Sequence, residues 1–238
     1  MNAFFCCQTR TLKVYYDLFI RQQKKGKMQK AGFFVAGSDY YREFLKEVPD
    51  FEQVFLVVKE WECLEAAAKS KPADISFLQA YDSLTPEANV FAACMGDRRI
   101  YQGPTATFRQ DYTPAYSYEE MLKILEVTLR KMEEVFEKLR PQVTTSLYPA
   151  MYADLLTYLL SKKHKISHLD LRLARIKNYV MFGEGLYEPS SHMVSHYETF
   201  LAGKGDSQIY AAAGEYLQDA RKNQIVYEGA VAATVVNG

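Results

Sequence analysis

The sequence predicts an α/β fold with a doubly wound, mainly parallel Rossmann-like sheet, helices on both faces and further helices at the carboxyl end. Three observations predict it. Short apolar runs alternate with segments of helical periodicity three times in succession from the start of the chain. Each strand-to-strand connection is long enough for a helix, so consecutive strands are parallel and joined by right-handed crossovers. A chain of 238 residues with 48% hydrophobic content suits one large core.

The elements follow in order. Asn2 to Cys7 is a brief apolar run ended by the polar Gln8, Thr9 and Arg10, the pattern of a buried strand entering a loop. From Thr11 to Lys25, Leu12, Tyr15, Tyr16, Phe19 and Ile20 recur at helical spacing, and Arg21, Lys24, Lys25 and Lys27 crowd the end that Gly26 closes. That basic cluster reads as a solvated helix end or as a phosphate site. Ala31 to Ala36 is a second strand and Asp39 to Lys46 a helix stopped before Pro49. Gln53 to Val58 is a third strand leading into a helix from Glu60 to Ala68.

Residues 70–116 break the rhythm, with prolines at 72, 86, 104 and 114 and short helical candidates at Ile75 to Tyr81 and Ala88 to Met95. An irregular insertion of that length in an α/β domain is expected to be a functional surface or lid. Regularity returns at Ser117, which makes an S-x-x-E capping box with Glu120 and opens a helix through Leu139. Met121, Leu125, Met132, Phe136 and Leu139 carry its apolar stripe, Glu126 with Arg130 and Glu134 with Lys138 are set at i,i+4, and Pro141 closes it. Val143 to Leu147 is then a strand, Met151 to Lys163 a helix, Ile166 to Leu171 a strand and Asn178 to Phe182 an extended piece. Ser191 to Leu201 and Ser207 to Asn223 finish the chain as helices. The expected division is a Rossmann-like domain over 1–190 and a helical segment over 191–238.

Composition excludes some partners. Twenty-nine basic against 29 acidic residues leave no general pull toward nucleic acid or anionic lipid, so an anionic partner must be held by a local site. The apolar stretch Ala3 to Cys7 is too short for a membrane span and lacks a preceding basic segment, so no signal peptide and no integral membrane segment is expected, and the expected compartment is the cytoplasm. Cys6, Cys7, Cys63 and Cys94 form no CxxC pair and read as reduced core residues. The first strand is followed by Gln-Thr-Arg-Thr, neither G-x-G-x-x-G nor G-x-x-x-x-G-K, so no cofactor is expected at an independent dinucleotide or NTP site.

If the first three strands run outward as 3, 2, 1 and the later pair continues on the other side, the order reverses between the first strand and that at Val143. Ligands of open α/β sheets sit at such a reversal, beyond the carboxyl ends of the strands. Thr9 and Arg10 then face Tyr148, with Arg172, Arg175 and Asn178 beside them. The guanidinium groups are candidate anion hands, since each grips phosphate or carboxylate in a bidentate fork; the alternative is pairing with a nearby carboxylate. His168 and Asp170 share a strand face, as an orienting pair or as structure. His192 and His196 lie four apart on a helix, but no third metal ligand is evident and no metal is expected.

Three stretches carry a likeness: M-G-D-R-R-I at Met95 to Ile100, F-R-Q-D-Y at Phe108 to Tyr112, and R-L-A-R-I-K-N-Y at Arg172 to Tyr179 followed by F-G-E-G-L-Y-E-P-S at Phe182 to Ser190. With L-R-P-Q-V at Leu139 to Val143, the chain resembles the amino-terminal part of bacterial capsule polysaccharide biosynthesis proteins. The resemblance implies kinship with two-Rossmann (GT-B) glycosyltransferases, in which the first domain holds the acceptor and the second the nucleotide sugar. On that footing Asp111 or Glu188 is the general base, Arg172 and Arg175 steady phosphates, and the partners are a nucleotide sugar or phosphorylated sugar carrier. The chain runs out at Val-Val-Asn-Gly with no room for a second Rossmann domain, so a fragment, a split gene or a second domain in trans is expected. A non-catalytic sugar-nucleotide-binding or partner-docking subunit, and an epimerase-like half on the same fold, are the other function classes.

Overall fold

The computed structural model describes residues 1–7, 11–81, 101–102, 113–147, 151–173, 180–184 and 190–222. Strand β1 (Asn2–Cys7) is buried on both faces from Ala3 onward, which suits only the middle of a sheet covered on both sides. It pairs in parallel with β2 (Lys30–Val35) on one side and with β6 (Val143–Leu147) on the other. β3 (Leu56–Lys59) lies outside β2, and β7 (Ser167–Leu173) outside β6, both parallel. β8 (Val180–Gly183) closes that edge antiparallel, giving the order β3-β2-β1-β6-β7-β8. The doubly wound α/β fold expected from the sequence is the fold observed.

Alternation along each strand divides the core into two layers. On one face Ala3, Phe5, Cys7, Phe33 and Val35 pack against α1 (Leu12–Lys24), α2 (Ser38–Glu47) and the single turn α3 (Phe51–Val54). This layer is aromatic: Phe33 meets Phe51 and Phe55 with ring centroids 5.0 and 5.3 Å away, and Tyr16 packs edge-on against Phe44, Phe51 and Phe55. On the other face Phe4, Cys6, Phe34 and Val58 meet α4 (Glu60–Ala68), α5 (Ile75–Gln79), α6 (Tyr118–Leu139) and α7 (Tyr152–Lys163). A two-stranded antiparallel pair, β4 (Tyr101–Gln102) with β5 (Thr113–Pro114), precedes α6. The chain described ends in α8 (Ser191–Thr199), a π-helical turn at Phe200–Lys204 and α9 (Ser207–Lys222).

Helix α6 is the spine of its layer. Ser117 Oγ accepts from the Glu120 amide while the Glu120 carboxylate accepts from the Ser117 amide, the reciprocal capping box read in the sequence. Leu125, Leu129, Met132 and Phe136 are wholly buried beneath it. Arg140 then enters the left-handed region at φ 47° and ends the helix before Pro141. Gly32 lets the helix approach β2 closely: a Cβ there would stand 2.9 Å from Leu139 Cδ2 and 3.2 Å from Val135 Cγ1.

Several expectations change in detail. The third strand begins at Leu56, not Gln53, because the amides of Gln53 and Val54 bond back to the Asp50 carbonyl and wind one helical turn. That turn sets Phe51 and Phe55 four apart, where both bury against Phe33. The irregular region over 70–116 holds α5, capped by the Asp74 carboxylate, and the β4–β5 pair; its helical candidate at Ala88 to Met95 lies outside the described residues. Arg130 bonds Glu126 at 2.8 Å and also Asp74, whereas Glu134 and Lys138 form no ion pair. Cys6, Cys7 and Cys63 are free and buried, as read, and Cys94 lies outside the described residues. Among the described residues no helix is long and apolar enough to cross a membrane.

Candidate functional site

The order of strands reverses between β1 and β6, and in open sheets of this kind ligands bind beyond the carboxyl ends of the strands at such a point. Residues 8–10 and 148–150, which follow β1 and β6 in the chain, lie outside the described residues. Of the site residues expected from the sequence, Thr9, Arg10, Asp111, Tyr148, Arg175, Asn178 and Glu188 lie outside the described residues. Arg172 is placed next to last in β7, toward the same end of the sheet.

Arg172 is held from below. Its Nε donates to Asp170 Oδ2 at 2.7 Å, and Asp170 is wholly buried. The two are i,i+2 on one strand and share a face, which brings the guanidinium back over its own carboxylate. Gly183 of β8, register partner of Asp170, makes room, since a Cβ there would stand 3.0 Å from Arg172 Cζ. Burial pushes the Asp170 carboxyl above its ordinary pKa and the Arg172 charge opposes that shift. Asp170 Oδ1 is buried without a hydrogen-bond partner.

Beneath this pair runs a buried polar seam that the sequence reading did not assemble. Thr144 and Ser146 of β6 lie beside His168 and Asp170 of β7 in register, and α7 lays Thr157 and Ser161 against them. Ser161 Oγ donates to the Thr157 carbonyl at 2.6 Å, so the 2.7 Å contact between Thr144 and Ser161 has Thr144 as donor. Thr144 Oγ1 is then left to accept, at 2.9 Å, from His168 Nδ1. His168 therefore carries its proton on Nδ1, and its Nε2 accepts from Ser146 Oγ at 3.3 Å. Burial lowers the His168 pKa to about 4, so the ring is neutral at pH 7. His168 and Asp170 thus serve different partners and do not form the orienting pair that their spacing allowed.

At the amino-terminal end of α7 sits Asp154, also wholly buried, its Oδ2 accepting from the Met151 amide at 3.1 Å. It occupies the first turn, where the helix dipole favours an anion. Burial and then the Asp154 charge push the Cys6 thiol far above the ordinary range, which keeps it protonated and unreactive. The missed signal was the spacing Asp154, Thr157, Ser161: polar residues at i, i+3 and i+7 on a helix that is otherwise apolar up to its closing Lys162 and Lys163. Chemically the arrangement offers a fixed guanidinium and a buried carboxylate near the strand ends, each braced by groups with no freedom to move away.

Among the described residues, cavities lie elsewhere. One of about 570 Å³, lined by Phe136, Arg140, Gln142, His164 and Ile166 among others, opens at the opposite end of the sheet. Another of about 270 Å³ lies beside Tyr81, Lys162 and Lys163. There Lys163 and Tyr81 both donate to Glu133, each at 2.6 Å, tying α7 to α6. His192 and His196 approach with ring centroids 4.4 Å apart, but among the described residues no cluster of three His, Cys, Asp or Glu side chains is arranged to hold a metal.

The chain matches no family model and no curated protein sequence. Among solved structures it is similar to AlbC, a cyclodipeptide synthase from Streptomyces noursei, at 9% identity with a TM-score of 0.31, over 65% of this chain and 86% of that one.

Proposed function

We propose that the chain is the acceptor-side domain of a glycosyltransferase-like protein of capsular or surface polysaccharide synthesis, working in the cytoplasm with a second Rossmann domain that presents the nucleotide sugar. The observation that carries the reading is a guanidinium, Arg172, fixed by a buried carboxylate near the strand ends beside the reversal of strand order. The resemblance of the Arg172 to Tyr179 and Phe182 to Ser190 stretches to capsule biosynthesis proteins supports it further. In this reading Arg172 and Arg175, with Thr9, Arg10, Tyr148 and Asn178, hold the phosphates of a nucleotide sugar or phosphorylated carrier. Asp111 or Glu188 removes the proton from the acceptor hydroxyl.

Calorimetric titration with a panel of nucleotide sugars and phosphorylated sugars tests it. Arg172 is a poor choice for substitution because its loss would strand the buried Asp170 charge and unfold the site. Arg175→Ala is the better variant: a charge-assisted bond to phosphate is worth about 1.5 to 3 kcal/mol, so affinity should fall roughly tenfold or more. Absence of binding to any phosphorylated sugar, or unchanged affinity in Arg175→Ala, would remove the reading. One feature favours the second class, a partner-docking subunit: α8, the π-helical turn and α9 bury none of their residues and expose Tyr197, Leu201, Ile209 and Leu217.

A further inference from the structure

We propose that the outer face of α1 and the turn that follows it form a docking surface for an anionic lipid bilayer. The segment from Leu18 to Ser38 is basic, with Asp17 and Asp39 as the acidic residues on either side of it. Between Leu18 and Ser38 the chain holds Arg21, Lys24, Lys25, Lys27 and Lys30 and no acidic residue. All five are exposed. Some cations elsewhere on the surface find carboxylates at short range: Lys13 with Glu47, Lys46 with Glu43, Lys69 with Glu65, Arg130 with Glu126. Among the described residues none of the five makes such a pair. The backbone gathers them, since the Lys27 and Met28 amides bond back to the Gln22 carbonyl and Gln29 bonds to Met1.

Charge alone would fit any polyanion. What selects a lipid surface is the apolar continuation of the same face. At 100° per residue, Val14, Leu18, Arg21 and Lys25 fall within a stripe of about 60°. Val14 is 63% and Leu18 40% exposed, on the side of α1 opposite the buried Leu12, Tyr15 and Phe19. An apolar half and a basic half on one helix face match the acyl boundary and the headgroup layer of a bilayer on which a helix lies flat. A nucleic acid offers nothing to exposed valine and leucine beside the phosphate contacts. Favourable charge at a helix C-terminus accounts for Arg21 and Lys24, but Lys27 and Lys30 lie beyond the helix and outside the reach of its dipole. The proposal is independent of what binds at the reversal of strand order.

Sedimentation of the whole chain with vesicles tests it, using phosphatidylcholine alone and phosphatidylcholine mixed with phosphatidylglycerol. The chain is expected to sediment with the mixed vesicles, to stay in solution with the neutral ones, and to be released by high salt. Each lysine near an anionic surface strengthens binding about fivefold, so the combined Lys24→Gln, Lys25→Gln, Lys27→Gln chain should bind at least tenfold more weakly. The Val14→Ser, Leu18→Ser chain should also lose most of its binding while melting at an unchanged temperature, both positions being solvent-facing. Equal recovery with both vesicle types, recovery with neither, or full binding by either variant overturns the proposal. Retention on an RNA homopolymer that is indifferent to the serine substitutions, without vesicle binding, would assign the face to nucleic acid instead.

Discussion

His168 shows how one buried residue sets a property of the whole chain. In the unfolded chain imidazole takes up a proton near pH 6.5, whereas burial between β6, β7 and α7 delays this to about pH 4. Between those values the unfolded state binds the extra proton, so stability rises with pH through that window and is lost as pH falls from 6.5 toward 4. The loss amounts to about 3 kcal/mol over the full window. Urea unfolding at a series of pH values should show this slope between about pH 6.5 and 5.5, where ordinary carboxylates are still largely ionised, and His168→Gln should flatten it; an unaltered slope would place its origin elsewhere, the buried Asp170 included. Gly32 makes a second residue-scale case. A methyl group there meets Leu139, Phe4 and Val135 within 3.2 Å, and strands and helix must part to admit it. Gly32→Ala is expected to cost about 1 to 3 kcal/mol by overpacking, despite the better strand propensity of alanine, and a denaturation midpoint equal to that of the parent would refute the close approach of α6.

Elements differ in how much of themselves they declare in sequence. α6 was legible at both ends and along its length because three independent signals agree: the Ser117–Glu120 box, the apolar stripe and Pro141. Ser117→Ala should therefore lower stability by about 1 kcal/mol through the lost cap, measured by thermal unfolding, with no effect on ligand affinity. α3 was read as the start of a strand because a single turn holds too few residues to display helical period; only the four-residue spacing of Phe51 and Phe55 marked it. The β4–β5 strands of two residues each fall below any alternation pattern. The polar seam escaped for a different reason. His168 and Asp170 read as an orienting pair or as structure, and Thr144 and Ser146 carry no signal of their own. Their burial is decided by α7, whose own Thr157 and Ser161 turn toward them, so that pairing between two elements carries the information.

At the scale of the molecule, the order of the inner strands followed from the chain because crossover helices fix both parallel direction and handedness, leaving the reversal between β1 and β6 as the remaining choice. The candidate site was legible only as a place. The strand expected to end at Leu171 runs on to Leu173 and takes in Arg172, whose pairing with Asp170 is the carboxylate alternative to a free anion hand and depends on Gly183 of an antiparallel neighbour, which no local pattern announces. The carboxyl-terminal arm allows the division near residue 190 to be tested directly. Both hydrophobic layers draw their buried residues from positions before it, and α8, the π-helical turn and α9 contribute none. Apolar burial stabilises by roughly 25 cal/mol per Å² removed from water, so an arm without buried side chains has little to contribute to the fold. Ser191 donates to Glu184 at 2.5 Å, an exposed bond worth about 1 kcal/mol at most. A chain ending at Ser190 should consequently melt within about 4 °C of the full chain in calorimetry, since a shift of that size corresponds to no more than about 1 to 2 kcal/mol in a domain this large. A fall well beyond that, or loss of cooperative unfolding, would mean that the arm covers part of the core and that the domain extends past residue 190.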